Sequence, residues 1–407
     1  MGVKTSASWE SRLDTWLVPF LALLGDRRRK QWAPLYIKGL LLPGDRKSIQ
    51  PISARVAPED FPQLHHFVAA STWDTAPLEE VLCQKIDTLL GGDDSYLIID
   101  DTSLPKKGEA SVGVAHQYCG ALGKQANCQV LVSLTLSRAD IHAPVGLRLY
   151  LPASWAKDPT RRKRAHVPAA IVYEPKWQIA LNEIDRVLRA GMRFGAVLAD
   201  AGYGTCAEFR RGLTERHLSW AVGIISTQHM YTTNVTTSVT QSTHSPGPRR
   251  RIALPSEAPC TAKEFIDRHA HFRTISWRKG TKGALSGEFA IVRVRPADDA
   301  PTKMTVPTRK SVHLPGEQAW LVCERRSNED RKYYLVNLPV SATKVQIVRA
   351  IKARWACEQM HQQTKEELGL DHFEGRSWRG LHHHTLLTMI AFAFLLKIRT
   401  NSNIPAA

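Results

Sequence analysis

The chain has 407 residues, with 55 Lys and Arg against 38 Asp and Glu, which gives a net charge of +17 at pH 7. This length is enough to bury a large core and to form two or three domains. The basic excess favours a polyanionic partner, above all nucleic acid, over an anionic membrane surface, because no basic amphipathic helix dominates the sequence. A basic surface that serves only solubility is the alternative.

The seven cysteines, an odd number, are scattered along the chain, and several lie in apolar runs. This pattern is typical of buried, reduced thiols in a cytosolic protein and not of a disulfide framework. A zinc site at His116, Cys119 and Cys128 is a weak alternative, because their spacing matches no standard zinc finger. The N-terminus shows no signal-peptide pattern, and the apolar stretch 386–396 is too short to span a bilayer. We therefore expect a cytoplasmic protein with no membrane partner.

Residues 1–92 are predicted to form a helical N-terminal region whose helices are broken by prolines. Apolar residues recur there at helical spacing, and no clean period-two strand is visible. The basic run 26–30 ("DRRRK") lies in this region, and similar runs follow at 161–164 and 249–251. Each run alone is ordinary solvated charge, but together they suit a surface that follows a nucleic-acid backbone.

Residues 93–226 change to strand-like runs with helices between them. An amphipathic helix is predicted at 174–191, ending at Gly191. In chain order, the predicted strands of this region are 95–100, 128–137, 145–152, 194–200 and 219–225. The pattern predicts the first part of an α/β catalytic core with a mixed sheet.

The segment 227–330 is predicted to be a mainly β insertion that interrupts this core without continuing its central sheet. It begins with a Ser/Thr-rich stretch, which is typical of a loop or of the edge of an inserted module. Alternating stretches such as "EFAIVRVRP" then indicate strands. The core resumes over 331–407 with a strand, a long helix and an apolar C-terminal helix. The run "HHH" at 382–384 is predicted to be a helix start or a DNA-facing surface, and not a ligand set.

Acidic residues follow two of the predicted strands. Asp100 and Asp101 come after "YLII", and Asp200 comes after "AVLA". A carboxylate just past a buried strand lies at the sheet edge, and it is costly to bury unless it is paired or binds a metal. Glu358, on the late helix, would complete a set of three. The structural alternative is an N-cap or turn role for Asp100 and Asp101 and a plain turn role for Asp200.

Three carboxylates suit hard divalent ions. Mg²⁺ prefers a few carboxylate oxygens together with waters and substrate phosphates. Two such ions about 4 Å apart can activate a water or hydroxyl and stabilise the leaving oxygen in phosphodiester cleavage. A set without thiol or imidazole ligands favours two Mg²⁺ or Mn²⁺ ions over zinc.

Two cations flank Glu358 on the predicted helix. Arg354 precedes it by four residues and Lys365 follows it by seven, so an uninterrupted helix would carry all three on one stripe. Cations there would contact the phosphate next to the scissile bond and keep Glu358 ionised. A plain ion pair between Glu358 and Arg354 on a solvated face is the commoner use of this spacing.

The stretch "ARWACEQMHQQTK" resembles the signature of cut-and-paste insertion-sequence transposases of the DDE superfamily. That signature is Tyr, two residues, Arg, three residues, Glu, six residues and Lys. Arg354, Glu358 and Lys365 match it, whereas Ile351 occupies the Tyr position. "IIDDTSLPKKG" resembles the family's first block, an apolar strand followed by Asp, any residue and Thr, and "VLADAGYG" resembles its second block. The resemblance covers residues 95–400, including the long insertion before the Glu-bearing helix.

This resemblance implies an RNase H-like core in which Asp100, Asp200 and Glu358 are the catalytic and metal-binding residues. Asp100 fits the Asp-x-Thr block, and Asp101 is its rival as the first ligand. The helical N-terminal region is where such transposases usually bind DNA. Further candidate DNA contacts are Arg354, Lys365, Lys106, Lys107 and His361.

The resemblance also implies a function: a DNA transposase that binds its element ends, cleaves with Mg²⁺ or Mn²⁺ and joins the freed 3′-hydroxyl to target DNA. Its partners would be double-stranded DNA, as terminal inverted repeats and target, and a second copy of the chain in a homodimer on DNA. We expect it in the bacterial cytoplasm, associated with the nucleoid. Two other classes stay open: a stand-alone RNase H-like nuclease or resolvase, and a catalytically inactive DNA-binding protein derived from a transposase.

Overall fold

Five α-helices occupy the first part of the chain. The computed structural model describes residues 8–241, 251–280, 283–299, 313–326 and 330–401. The opening helices are α1 (Trp9–Ala22), α2 (Arg27–Leu41), α3 (Ile49–Val56), α4 (Phe61–Ala69) and α5 (Ala76–Leu90). Pro19 and Pro34, expected to break helices, instead lie inside α1 and α2. Pro62 and Pro77 lie in the first turns of α4 and α5, where a proline leaves no intrahelical hydrogen bond unmade.

The described residues fall into two structural units by compactness. The first unit lies within 1–194 and 355–407, and the second lies within 195–354. The five opening helices therefore share a unit with the strands that follow them. The mixed α/β class predicted from the sequence is confirmed, because strands and helices alternate through both units.

Four strands with antiparallel pairing lie in the first unit. Its strands are β1 (Gly92–Pro105), β2 (Ala115–Cys119), β3 (Lys124–Arg138) and β4 (Ile141–Leu149). β3 pairs with each of the other three. The helices of this unit are α6 (Ala153–Ala156), α7 (Pro159–Arg164), α8 (Lys176–Arg189), α13 (Trp355–Glu366) and α14 (Trp378–Asn401). Residues 128–137 of β3 are all buried, as expected of a strand that helices cover.

Helix α14 is the core of the first unit. It packs against α2, α4, α5 and β4. By length and composition its stretch Trp378–Thr400 could cross a membrane, but 83% of its most apolar window is buried inside the protein. The predicted buried core helix is therefore present and longer than its apolar stretch alone.

Three consecutive histidines of α14, His382–His384, are buried in this core. The prediction of a DNA-facing surface for them is wrong. His383 stacks on Trp73 with ring centroids 3.6 Å apart, and His384 Nδ1 lies 2.9 Å from the Tyr36 hydroxyl. Burial lowers the pKa of each ring to about 4, so all three are neutral at pH 7.

A buried ion-pair network joins three elements of the first unit. Arg148 on β4 lies 2.8 Å from Glu79 on α5 and 3.0 Å from Glu183 on α8. Arg186, one turn further along α8, lies 2.9 Å from Glu183. Burial raises the pKa of Glu183, but the two guanidinium groups outweigh burial and bring that pKa to about 2. The network therefore stays ionised and holds the helices to the sheet.

The second unit carries one larger mixed sheet. Its strands are β5 (Phe194–Ala199), β6 (Trp220–Ile224), β7 (His229–Tyr231), β10 (Cys260–Thr261), β11 (Arg273–Gly280), β12 (Gly283–Pro296), β13 (Ala319–Arg325) and β14 (Arg331–Val336). β8 (Thr237–Gln241) and β9 (Arg251–Pro255) form a separate pair. The helices are α9 (Ala201–Gly204), α10 (Ala207–Glu215), α11 (Ala262–His269) and α12 (Lys344–Ala353).

The insertion is largely β in its described part, but it continues the sheet of the second unit. The order β10-β7-β12-β13-β14-β6-β5 runs through it without a gap. The expectation that 227–330 leaves the central sheet is therefore wrong. β14 pairs with β6 on one side and with β13 on the other, so the β13–β14 hairpin extends the sheet outward.

Candidate active site

Asp100 lies inside β1 and not at its end. The sequence predicted a strand that stops at residue 100, whereas β1 continues to Pro105 because β3 offers antiparallel partners along this whole stretch. Asp100 is paired with Ser133 of β3, so both side chains project from the same face of the sheet. The half-buried carboxylate of Asp100 therefore projects from one face of the sheet.

Helix α13 packs on that face and contacts Asp100 directly. Cys357 Sγ lies 3.0 Å from Asp100 Oδ2, and the Asp101 amide donates to Asp100 Oδ1 at 2.8 Å. Ser133 Oγ donates to the Asp100 carbonyl oxygen at 2.9 Å and lies 2.7 Å from His361 Nε2. Two residues of α13 therefore bind the strand pair that carries Asp100.

Asp101 projects from the opposite face of β1, because successive residues of a strand alternate between faces. Its carboxylate Oδ2 lies 2.5 Å from Lys176 Nζ at the start of α8. The cation neutralises Asp101, and α8 covers its side of the sheet. Of the two neighbouring aspartates, Asp100 is the one that faces α13, the helix that carries Glu358.

Glu358 is exposed on α13, directly after the buried Cys357. The expectation that Arg354 shares one unbroken helix with Glu358 is wrong. Helix α12 ends at Ala353, Arg354 follows as a turn residue with φ −57° and ψ −26°, and α13 begins at Trp355. Neither proline nor glycine occurs between 344 and 366, so nothing in the sequence explains the interruption.

Asp200 directly follows β5, as predicted, and is the N-cap of α9. Its Oδ1 accepts hydrogen bonds from the amides of Gly202 at 2.9 Å and Tyr203 at 3.3 Å. The turn after it is crowded: a Cβ on Gly204 would lie 2.1 Å from the Gly223 carbonyl oxygen of β6. The turn role that competed with the catalytic role on sequence grounds is thus present, in the form of an N-cap. The small residues of "AGYG" let α9 approach β6 closely.

The chemistry of these side chains fits a hard divalent ion. Asp100, Asp200 and Glu358 offer carboxylate oxygens, and the hydroxyl of Thr102, on the same face of β1 as Asp100, is buried without a hydrogen-bond partner among the described residues. Asp100 and Glu358 belong to the first unit and Asp200 to the second. Within the described ranges, three or more His, Cys, Asp or Glu side chains are nowhere gathered closely enough to hold a metal.

The candidate DNA contacts differ in exposure. Lys107 is exposed, whereas Lys106 Nζ donates to the Phe373 carbonyl oxygen at 2.6 Å. Burial lowers the pKa of both Lys106 and Lys365, and nearby Asp371 partly opposes that shift. His361 is 9% exposed, and its Nε2 lies 2.7 Å from Ser133 Oγ, so in this structure it holds α13 to the sheet.

Sequence reasoning missed Cys357, the residue that touches Asp100. In the sequence, Cys357 is marked only by its position directly before Glu358 in the stretch that resembles the transposase signature. A buried cysteine is ordinarily a small apolar residue, and the contact with Asp100 spans 257 positions of the chain.

Known proteins resemble this chain in three ways. A family model described as DDE superfamily endonuclease matches residues 19–284. A probable transposase for insertion sequence element IS701, from Microchaete diplosiphon, is 31% identical over 186 residues, which are 46% of this chain and 46% of that protein. The chain thus matches about half the length of this curated relative.

The cryo-EM structure of piggyBac transposase synaptic complex with hairpin DNA is similar at 10% identity and a TM-score of 0.43, over 98% of this chain and 74% of that one. A likeness of that size supports no conclusion here. The family match, in contrast, covers more than half of the chain and includes both Asp100 and Asp200. The chain belongs to the DDE superfamily of endonucleases.

Proposed function

We propose that the chain is an insertion-sequence transposase that cuts and joins DNA with divalent metal ions at Asp100, Asp200 and Glu358. The observation that carries the proposal is the placement of Asp100, which begins the Asp-x-Thr block and faces the helix bearing Glu358. Membership of the DDE superfamily supports the chemistry, because its enzymes generally use divalent metals. The match to part of an IS701 transposase favours transposition over other endonuclease activities.

The three carboxylates would hold two Mg²⁺ or Mn²⁺ ions, which supply an activated water or hydroxyl and a stabilised leaving oxygen when bound. Both oxygens of the Asp100 carboxylate are already oriented, one by the Asp101 amide and one by the Cys357 thiol. Oδ1 of Asp200 is held by two amides of its own turn. The exposed Glu358 is accessible to substrate from solvent.

Exposed cations of the first unit would bind the DNA backbone without reading its sequence. The run at the start of α2 exposes Arg27, Arg28 and Lys30, and α7 exposes Lys163 and Arg164. The side chains of the third basic run, 249–251, lie outside the described residues. Salt-sensitive binding is the expected signature of such contacts.

Arg354 and Lys365 would contact the strand near the cleavage site, with Lys106 and Lys107 beside the first block.

Element ends and target DNA are the proposed substrates, and a homodimer on paired ends is the proposed active form. The proposed location is the bacterial cytoplasm, at the nucleoid. Short inverted repeats beside the gene, bounded by direct duplications, would support transposition over a stand-alone nuclease.

The test compares the neighbouring aspartates. Purified full-length protein is incubated with a supercoiled plasmid carrying the element ends, with Mg²⁺, with Mn²⁺ or with EDTA. We expect metal-dependent nicking and joining by the wild type, none by Asp100→Asn, and retained activity in Asp101→Asn because Asp101 already pairs with Lys176. The reverse result would move the ligand role to Asp101.

Other outcomes distinguish the remaining functions. Metal-dependent nicking without joining, and without preference for the element ends, would identify a nuclease. End binding by a wild type that never nicks would identify an inactive DNA-binding protein.

A further inference from the structure

We propose that the thiol of Cys357 positions the Asp100 carboxylate for metal binding. This inference rests on the proposed function, because the metal-binding role of Asp100 is part of that proposal. Cys357 is a positioning residue in this account: it touches Asp100 and neither metal nor DNA.

The geometry fixes the direction of the contact. Cys357 Sγ lies 3.0 Å from Asp100 Oδ2, and an ionised carboxylate can only accept, so the thiol donates. Oδ1 already accepts from the Asp101 amide at 2.8 Å. With at least one donor on each oxygen, the carboxylate is restrained from rotating about its bond to the strand. Cys357 is 0% exposed, so water does not compete for that hydrogen bond.

A second contact holds the same helix face. His361 follows Cys357 by four residues, which places both on one side of α13. The single Ser133 hydroxyl proton is donated to the Asp100 carbonyl oxygen, so Ser133 must accept from His361, whose proton then lies on Nε2. Cys357 and His361 together fix the rotation of α13 about its axis. Glu358, next to Cys357, takes its direction from that rotation.

A thiol suits this task better than a stronger donor. S–H is a weak hydrogen-bond donor, so it orients Oδ2 while withdrawing little of its negative charge. A hydroxyl or ammonium group would hold the oxygen more strongly and compete with a cation for it. The structural alternative is that Cys357 only fills space as a small apolar residue.

The test uses the full-length protein and three variants. Cys357→Ala removes the donor together with the sulfur atom, and Cys357→Ser restores a donor of similar size. Cys128→Ala is the control for loss of the same atom from another fully buried cysteine of the same unit. Mn²⁺ is titrated into each protein, and free Mn²⁺ is followed by electron paramagnetic resonance. We expect Cys357→Ala to weaken Mn²⁺ binding by about 10-fold, the lower end for loss of a group that orients a metal ligand. Cys357→Ser should recover only part of that loss, because the hydroxyl restores a donor but competes more strongly with the cation for Oδ2. Cys128→Ala should bind like the wild type.

An infrared measurement tests the contact without any metal. The S–H stretching band that disappears in Cys357→Ala should lie at lower frequency than those of the other buried thiols, and it should move up in Asp100→Asn. Unchanged Mn²⁺ affinity in Cys357→Ala, or an S–H band that Asp100→Asn leaves in place, would overturn this inference alone. A wild type that binds no Mn²⁺ would overturn the proposed function and this inference with it.

Discussion

Asp100 and Asp200 both follow apolar strand residues, yet the chain holds them in different ways. Asp100 is contacted by its neighbour Asp101 and also by Ser133 and Cys357, which are 33 and 257 positions away. The contacts to Asp200 come from residues two and three positions away. The orientation of the Asp100 carboxylate therefore depends partly on tertiary packing, whereas the hydrogen bonds to the Asp200 carboxylate come from its own turn. A carboxylate can thus be oriented by local backbone together with tertiary packing, or by local backbone alone.

The strongest prediction concerns Asp200, whose carboxylate is held by its own turn. Asn caps a helix about as well as Asp, so Asp200→Asn should keep the turn while removing the charge. We expect metal-dependent nicking to fall below detection, with end binding retained and stability changed by less than about 0.5 kcal/mol. Nicking assays and urea denaturation measure the two effects.

Asp200→Ala is the matched control, because it removes both the charge and the cap. It should lose the same activity and, in addition, about 1 kcal/mol of stability. If Asp200→Asn nicks DNA normally while Asp200→Ala is destabilised, Asp200 is a structural cap only.

The next prediction concerns the pH dependence of the stability of the first unit, which carries Asp100. His382, His383 and His384 have pKa values lowered by burial to about 4, against about 6.5 in an unfolded chain. Between those values the unfolded state binds more protons, so stability is fully present above about pH 6.5 and falls as pH drops toward 4. Each unit of pKa difference is worth about 1.4 kcal/mol at most.

Hydrogen exchange read by mass spectrometry at pH 7 and pH 5, corrected for intrinsic rates, measures this acid sensitivity by region. Among the described residues, every buried histidine belongs to the first unit, so amides of α14 and β1 should lose more protection at pH 5 than those of β12 and β13. Replacing the exposed His66 with Gln should not change that pattern. Equal loss in both units would show that buried histidines do not govern the acid response.

The smallest effect concerns Lys365, in the last turn of α13. Lys365→Ala should weaken binding to cleaved ends and lower the salt dependence of binding by about one phosphate contact, with the metal requirement unchanged. Lys263→Ala, on α11 and outside every signature block, is the control. Wild-type activity and an unchanged salt slope would mean that Lys365 is an ordinary helix lysine, whose replacement costs only a few tenths of a kcal/mol of stability.

The same contrast between local and distant contacts explains what could be predicted. Strand β5 and the place of Asp200 followed from a short apolar run and a turn, both local signals. The Asp-x-Thr pattern selected Asp100, but the length of β1 and the contact with Cys357 depend on partners far along the chain.

Three predictions were wrong, and two of them depended on contacts between residues far apart in the chain. The insertion's strands were recognisable from alternation, but strand partners are not encoded locally, so its continuation of the sheet was missed. The buried histidines of α14 look polar in sequence, and only their ring stacking and carbonyl acceptors make burial possible. The break at Arg354 carries no proline or glycine signal.

In helix α13 the buried thiol of Cys357 and the exposed carboxylate of Glu358 are at consecutive positions. The number of residues before them therefore decides which of the two faces Asp100. Each residue turns an α-helix by about 100°. Deleting one residue between Trp355 and Cys357 would therefore bring Glu358 to the position that now faces Asp100, with two carboxylates in repulsion. Inserting one would put Ala356 there and push the thiol into solvent. At its exposed positions other than Glu358, α13 should tolerate substitution better than the insertion or deletion of one residue.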